Sequence, residues 1–554
     1  MRIQHTLFKG EVPKANARLL PPDAAQAALN CDFNSGSLEP LRADALVQSG
    51  SGIVDFYNHK GTFLTFTART SVAPGPVATD RLYIMAAGAA PKMKIMPSGT
   101  EYPLAVDTPI APPTVTIEVA ATPNDPTYML DPTTGDPVLD DDDNPVIAYD
   151  AEPLPETTVL FVYTWVTLYD EESLPSPVSY PLDVTEGSTI RVAFPDQPPV
   201  GSRINRLRVY RSVTSASGTT DYFFVQELNS ATTAWVYDPA TDLPQEVIPS
   251  TFYDPPISGL EGLTSMNNGM MAAFKGKDLY FCEPYKPHAW PSIYALKTEA
   301  DIVGLAAFGN ALAVLTTGQP HVVNGTAPEN MIMDRLEINA PCVSAASIVD
   351  LGYSAAYATN DGLAVISSSG ANIVSKALFS REQWRAMGPA TMKAGHYDGA
   401  YVFTYTDGGT KTGIIDLGDP SQPYFIATNT VATALRHDLK SSDLYYVTAS
   451  GIHEFDEHDG DPRTLTWRSK IYDLMSYVPF AVLLVEGTAL GANPTDTAFS
   501  AKVYKDGALF HTITTLNTPE RMPSGLGRTW EIEVTGKVRI TRIAMAGSVT
   551  ELMS

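Results

Sequence analysis

Three stretches combine residue types that could do chemistry. His453-Glu454-Phe455-Asp456-Glu457-His458 places two imidazoles and three carboxylates within six positions, a composition able to ligate zinc. Its spacing argues against that use. A zinc-protease helix needs histidines at i and i+4 on one face, whereas these two are five apart in a stretch that reads as strand and turn, where neighbours point to opposite faces. Asp140-Asp141-Asp142-Asp143-Asn144 could hold a hard cation, but it lacks the ligand alternation and the glycine of an EF-hand loop, so it reads as a solvated turn. The third stretch, Glu283-Pro-Tyr-Lys-Pro-His-Ala-Trp-Pro-Ser292, is dense in aromatics and proline. Large rigid rings suit a carbohydrate platform or a subunit contact, and packing inside the fold is the competing reading. Asp140, Asp141, Asp142, Asp143, Tyr285, His288 and Trp290 are therefore the candidate partner contacts. There is no Walker loop, dinucleotide fingerprint or Gly-x-Ser-x-Gly elbow. No catalytic, cofactor-binding or metal-ligating residue is assigned, no cofactor is expected, and the chain is not read as an enzyme. A glycosidase would need two acidic residues about 5 to 10 Å apart in one pocket, which a sequence does not reveal.

The elements that would position these residues repeat. Between 263 and 467 a small residue, an alternating apolar strand, a tight turn and a second strand recur, with turns at Asn360-Asp361-Gly362, Asp398-Gly399 and Ser450-Gly451. Aligned at Asp278, Ala311, Ser354, Ala400 and Asp443, the period is roughly 33 to 46 residues, close to that of four-stranded propeller blades. Period-two alternation with glycine turns means strands. A lone unit cannot bury both faces, so such repeats close radially. The expected fold is all-β: a β-propeller of about six blades, with an inserted fibronectin-III-like β-sandwich and a C-terminal β-sandwich region.

The domain boundaries follow from proline-rich breaks. Residues 1–45 form an N-terminal arm with a short helix expected at 24–29, capped by Asp23. Residues 46–110 hold the first blade, with its hairpins within 53–96. Pro109-Ile-Ala-Pro-Pro113 and Tyr253-Asp-Pro-Pro256 then bracket a foreign domain, 111–256, whose roughly seven short strands argue for a sandwich. A detour at 127–150 reads as an exposed acidic hairpin. The remaining blades occupy 257–467, and 468–554 forms either a C-terminal sandwich or strands that close the ring. Trp165, Trp235, Trp384 and Trp530 are expected in strand cores.

With 554 residues, 44% of them hydrophobic, the chain can build several cores. Its formal net charge of −25 opposes binding to phosphate backbones and anionic membranes. Residues 112–256 contain 23 Asp plus Glu and 5 Lys plus Arg, so most of that charge is local to the insertion. Cys31, Cys282 and Cys342, odd in number and far apart in apolar contexts, read as buried free thiols, which fits a reducing compartment. No run reaches the ~18 apolar residues of a membrane span, and the N-terminus lacks a signal-peptide core. Membrane insertion is not expected.

Several of these stretches share one resemblance. Phe8-Lys-Gly-Glu11, Leu20-Pro21, Asn30-Cys31-Asp32 and Leu38-Glu-Pro-Leu-Arg42 resemble the opening of a family of bacteriophage virion proteins. The 283–292 loop, Thr359-Asn-Asp-Gly-Leu-Ala-Val-Ile366, the insertion, whose Tyr163–Pro177 and Arg208–Ser212 segments resemble fibronectin type III modules, and the Glu551-Leu552 end extend that resemblance over nearly the whole chain. The family is that of the β-propeller nozzle, or tail tubular protein B type, of short-tailed phages. The resemblance implies a virion tail protein assembled in the host cytoplasm as a homo-oligomer, a hexameric ring below the dodecameric head–tail adaptor. Tail fibres or spikes would attach outside, and DNA would pass through without being held tightly. The alternative is a peripheral, fibre-like tail protein that binds host-surface glycan, for which the Trp290 loop is the hint.

Overall fold

The computed structural model describes residues 1–553 except 79, 123–126, 150–153, 215–219, 242–245, 420–421 and 491–498. Strands dominate, and the chain forms a β-propeller with two attached sandwiches. Five four-stranded antiparallel sheets, the first four strands of a ten-stranded sheet and one two-stranded hairpin follow one another around an axis. The innermost strands run in the order Asp55–His59, Thr70–Pro74, Glu261–Ser265, Ile302–Phe308, Val349–Asp350, Ala394–Tyr397 and Ala434–His437, each against the next and the last against the first. Every neighbouring pair of units shares an apolar core. Phe56 and Phe63 pack on Val447 and Ile452, Val72 and Leu82 on Tyr57 and Leu64, and Met93 on Ala273 and Trp290. Phe281 packs with Val314, Leu315 with Tyr357, Leu363 with Phe403, and Val402 with Leu444. Radial packing of this kind is what a propeller needs, since no single unit has a second face to bury.

Turn chemistry sets the hairpins. Lys60-Gly61 and Asp398-Gly399 both adopt left-handed φ, the combination a tight two-residue turn demands of the right-handed twist of its strands. The 53–96 stretch, read as one blade, is two units. Its hairpin, Asp55–His59 with Thr62–Phe66, stands alone. The chain then returns to the axis and lays down Thr70–Pro74, Arg81–Ala86, Lys92–Ile95 and Thr100–Pro103 as a separate sheet. One repeat alignment is also corrected. Asp278 begins the third strand of its unit, whereas Ala311, Ser354 and Ala400 begin second strands. Its true counterpart is Met271, which removes the shortest interval.

The last unit is closed from the other end of the chain. Ala434–His437, Leu444–Thr448 and Gly451–Glu454 take Ala45–Ser49 as their fourth strand. Asp44 locks that closure: it pairs with Arg463, accepts from the Tyr446 hydroxyl and caps the Asp456 amide at 3.1 Å. The 468–554 region is a sandwich and does not close the ring. One sheet holds Arg2–His5, Val538–Ala546, Val482–Ala489 and Glu520–Arg521. The other continues from the sixth unit, Tyr424–Thr428, through Ala25–Leu29 to Leu465–Ser469 and Gly527–Gly536. Residues 24–29 are thus strand, not the expected helix. A single turn has no independent stability, and pairing on both sides overrides alanine's helix propensity. The three cysteines are free and buried. Burial pushes the thiols of Cys282 and Cys342 up to about 12.

The insertion is a sandwich. Thr114–Val119, Thr189–Ala193 and Ala234–Tyr237 form one sheet; Phe161–Thr167, Ile204–Thr214 and Thr220–Asn229 form the other. Phe161, Tyr163, Trp165, Val192, Leu207 and Val209 fill the space between them. An unusual edge covers the Phe161–Thr167 strand. Ser173, Ser176 and Ser179 accept from the amides of Trp165, Tyr163 and Phe161 through their hydroxyls at 3.0, 3.1 and 3.0 Å. The same serines donate their own amides to the carbonyls of Trp165, Tyr163 and Phe161, so each serine satisfies both backbone groups of the residue it faces.

Candidate partner and ligand surfaces

The acidic detour is a two-stranded ribbon, Thr127–Tyr128 against Ile147–Tyr149, prolonged by bridges at Leu130–Pro137 and Leu139–Pro145; Asp150, its last residue, lies outside the described residues. At its tip the Asp140 carboxylate accepts from the amides of Asp142 and Asn144 at 2.9 and 2.8 Å. Asp131 does the same for Thr133 at 2.7 Å. Both carboxylates are held below the ordinary aspartate range by these amide hydrogen bonds. The tip therefore uses its acids to build turns, and the described residues contain no cluster of three candidate metal ligands. Asp141, Asp142 and Asp143 are exposed. The ribbon's flanks carry a feature that the run of aspartates concealed: Met129, Leu130 and Leu139 are each at least half exposed, at 50, 59 and 53%.

The aromatic loop is divided. Tyr285 is exposed, held in left-handed φ with its ring against the Cα of Gly269, where a side chain would collide with it. Trp290 is buried at 3%. Its indole donates to the Pro287 carbonyl at 2.7 Å, and it packs among Met93, Leu260 and Met271. His288 is also buried, edge-on to Tyr253 at 5.8 Å. Burial holds its imidazole neutral, down at about 3, with Lys286 and Arg203 adding to the effect. His288 thus packs against Tyr253 at the edge of the insertion, Trp290 lies in the core between two propeller units, and Tyr285 is the member of the loop that reaches solvent.

His453 and His458 are not brought together as ligands. His453 sits in a strand, stacked on Tyr446 at 5.4 Å and bonded to the hydroxyls of Ser450 and Thr448 at 2.9 and 3.1 Å. His458 is exposed in the following loop. Trp165, Trp384 and Trp530 are buried and Trp235 packs at the margin of its core.

Two polar clusters went unread in the sequence. One mounts the insertion on the propeller. Arg203 is buried and donates to Glu171 at 2.8 Å, to the Leu104 carbonyl at 2.9 Å and to the Pro103 carbonyl. Beside it the buried Glu172 receives Thr164, Tyr210, Ser250 and Arg208 at 2.8, 2.6, 3.2 and 2.9 Å. The adjacent acids Glu171-Glu172 and the three arginines Arg203, Arg206 and Arg208 within six positions were the available signal. The other cluster lines the propeller axis: Asp55, Arg69, Lys393, His396, Arg436 and His437 surround a cavity of about 420 Å³. His396 and Arg436-His437 fall at equivalent places in successive repeats, a pattern visible once the innermost strands are known.

No family model matches the chain and no curated protein matches it. Solved structures similar to it include U3-55K, at 8% identity over 74% of this chain and 99% of that chain, with a TM-score of 0.29. The computationally designed Ika8 protein is 10% identical over 75% of this chain and 99% of its own, TM-score 0.30. PorZ, a surface component of the type-IX secretion system of Porphyromonas gingivalis, is 11% identical over 98% of this chain and 100% of its own, TM-score 0.26. Likenesses at these TM-scores carry no argument, and the fold stands on the chain's own sheets.

Proposed function

We propose that the chain is a structural subunit of a phage tail, one copy in a ring that forms the terminal conduit for DNA ejection. The ring docks below the head–tail adaptor, holds fibres or spikes on its outside, and is assembled in the host cytoplasm. It has no catalytic role in this reading. The observation that carries the assembly claim is the ribbon at 127–149. An isolated two-stranded ribbon is marginal in water, and this one exposes Met129, Leu130 and Leu139 beside an acidic tip. Exposed apolar side chains on a projecting arm favour a covered state against another chain.

The conduit lies between copies, not through one propeller. A cavity of about 420 Å³ crossed by Arg69 has no room for a duplex whose major groove alone is about 12 Å wide. A lumen lined by carboxylates would repel phosphate and let DNA slide. With −25 per copy the protein has few cations to release counterions from DNA, so weak affinity at low salt is expected. The glycan-binding alternative loses its hint, because Trp290 is buried. Images of the purified protein and of virions test the reading. Axial rings support it, and a purely peripheral location, or strong retardation of duplex DNA in low-salt gels, overturns it.

A further inference from the structure

The axial cavity gathers cations in a strongly acidic chain. The protein carries −25 overall, yet the charged groups of this cavity are Arg69, Lys393 and Arg436 against Asp55 and Asp350. Asp55 is already saturated: it receives Arg436 at 3.1 Å, its neighbour Phe56 at 2.8 Å and the Thr70 amide at 3.0 Å. It fixes one Arg436 nitrogen, which also donates to the Thr70 carbonyl at 3.4 Å, while Arg436 lines the cavity. Asp350 turns one oxygen to the Gly352 amide at 2.7 Å.

Arg69 and Lys393 are the cations of this cavity without a salt bridge among the described residues. Arg69 reaches from the start of the second unit to the Ala345 carbonyl at 2.8 Å, spanning the axis. Its side chain is open to the solvent within the cavity but surrounded by protein, and that burial lowers its affinity for its own proton. Lys393 anchors its ammonium on the Thr433 carbonyl. His396 and His437 meet edge-on at 4.8 Å, and burial pushes both imidazoles below their ordinary range. Apolar groups, including Ile348, Val349 and Leu435, complete the wall.

We infer that the propeller axis is a binding site for a small organic oxyanion, a carboxylate or phosphate on a molecule of about monosaccharide size, held by Arg69, Arg436 and Lys393. A partly desolvated guanidinium with unused donors gains most from a planar or tetrahedral oxyanion, which takes two parallel hydrogen bonds. The apolar wall favours a carbon body over a bare ion, and the cavity volume lies within the range of small-molecule sites. The inference rests on the cavity alone and is independent of the tail reading.

Calorimetric titration of the full chain with glucuronate, glucose 6-phosphate, inorganic phosphate and, as a neutral control, glucose tests it. Glucuronate or glucose 6-phosphate is expected to bind, more weakly as salt rises, and at least tenfold tighter than glucose. The arm that binds better identifies carboxylate or phosphate as the group recognised. Arg69→Gln, which removes the guanidinium and its reach to the Ala345 carbonyl, should weaken binding at least tenfold, and as an exposed side chain it should change the melting temperature little. Lys393→Gln should weaken it less, and serves if Arg69→Gln does not fold. The site is refuted if neither sugar anion binds in the millimolar range, if glucose or phosphate alone binds as well as they do, or if both variants bind like the parent.

Discussion

The propeller and its insertion are held in different ways. Around the ring every joint is an apolar core, and the circle is completed by one strand from the N-terminus, Ala45–Ser49, locked by Asp44. The insertion has an apolar core of its own, but its mount is polar: Arg203 on two main-chain carbonyls and Glu171, with Glu172 satisfied alongside. Apolar contact is non-directional and gives a stiff closed platform. A buried charged network adds little net stability but fixes one orientation, and losing one member is costly. The ring thus supplies rigidity, and the mount sets where the acidic arm points.

Arg203→Met should show the largest effect. It leaves Glu171 buried without its partner and is expected to cost about 3–5 kcal/mol. Hydrogen exchange should rise across residues 159–209 and remain slow across 302–373; an equal rise in both would erase the contrast between mount and ring. Asp44→Ala tests the ring. It removes the charge partner of Arg463 and the acceptor of the Tyr446 hydroxyl, and a loss of about 3 kcal/mol with faster exchange at 45–49 and 451–454 is expected. Unchanged melting would place closure elsewhere.

A smaller effect is tied to pH. Glu11, which accepts from the Ala28 amide at 2.7 Å, is pushed up to about 7 by burial. Its folded-state value lies above its unfolded one, so its contribution is full below about pH 4.5, falls as pH rises and is lost above about 7. Glu11→Gln should therefore gain about 2 kcal/mol at pH 8 and nothing at pH 4. A variant whose pH curve parallels the parent's contradicts this. His5 acts oppositely: burial lowers it to about 4, so its contribution holds above pH 6.5 and declines towards pH 4. The smallest change is expected at the arm, where Asp140→Ala removes two turn hydrogen bonds in solvent and should leave the melting temperature essentially unchanged. A clear loss would mean that the arm is part of the core.

Strand repeats, the bracketed insertion and the buried thiols were readable because alternation, proline breaks and isolated cysteines are local signals. The 24–29 strand was not, since its partners Tyr424–Thr428 and Leu465–Ser469 lie some 400 residues away. The single-blade reading of 53–96 failed for a similar reason: a return to the axis at Thr70 looks in sequence like one more turn. At the candidate contacts, composition located the loop but not its orientation. Trp290 and Tyr285 are five positions apart, one buried and one exposed, and only long-range contact with Met93 and Leu260 separates them. The axial cations could not be grouped in advance, because each comes from a different unit.

Central to the account is that this chain works as one copy of a ring, with the projecting arm at the junction between copies. The most direct test is cryo-electron microscopy of the purified full chain alongside a variant whose residues 129–147 are replaced by a short Gly-Ser linker. The account predicts closed rings for the parent, density for the arm against the adjacent copy, and folded monomers for the variant. Rings that form equally well without the arm, or a parent that stays monomeric at all concentrations, would contradict it.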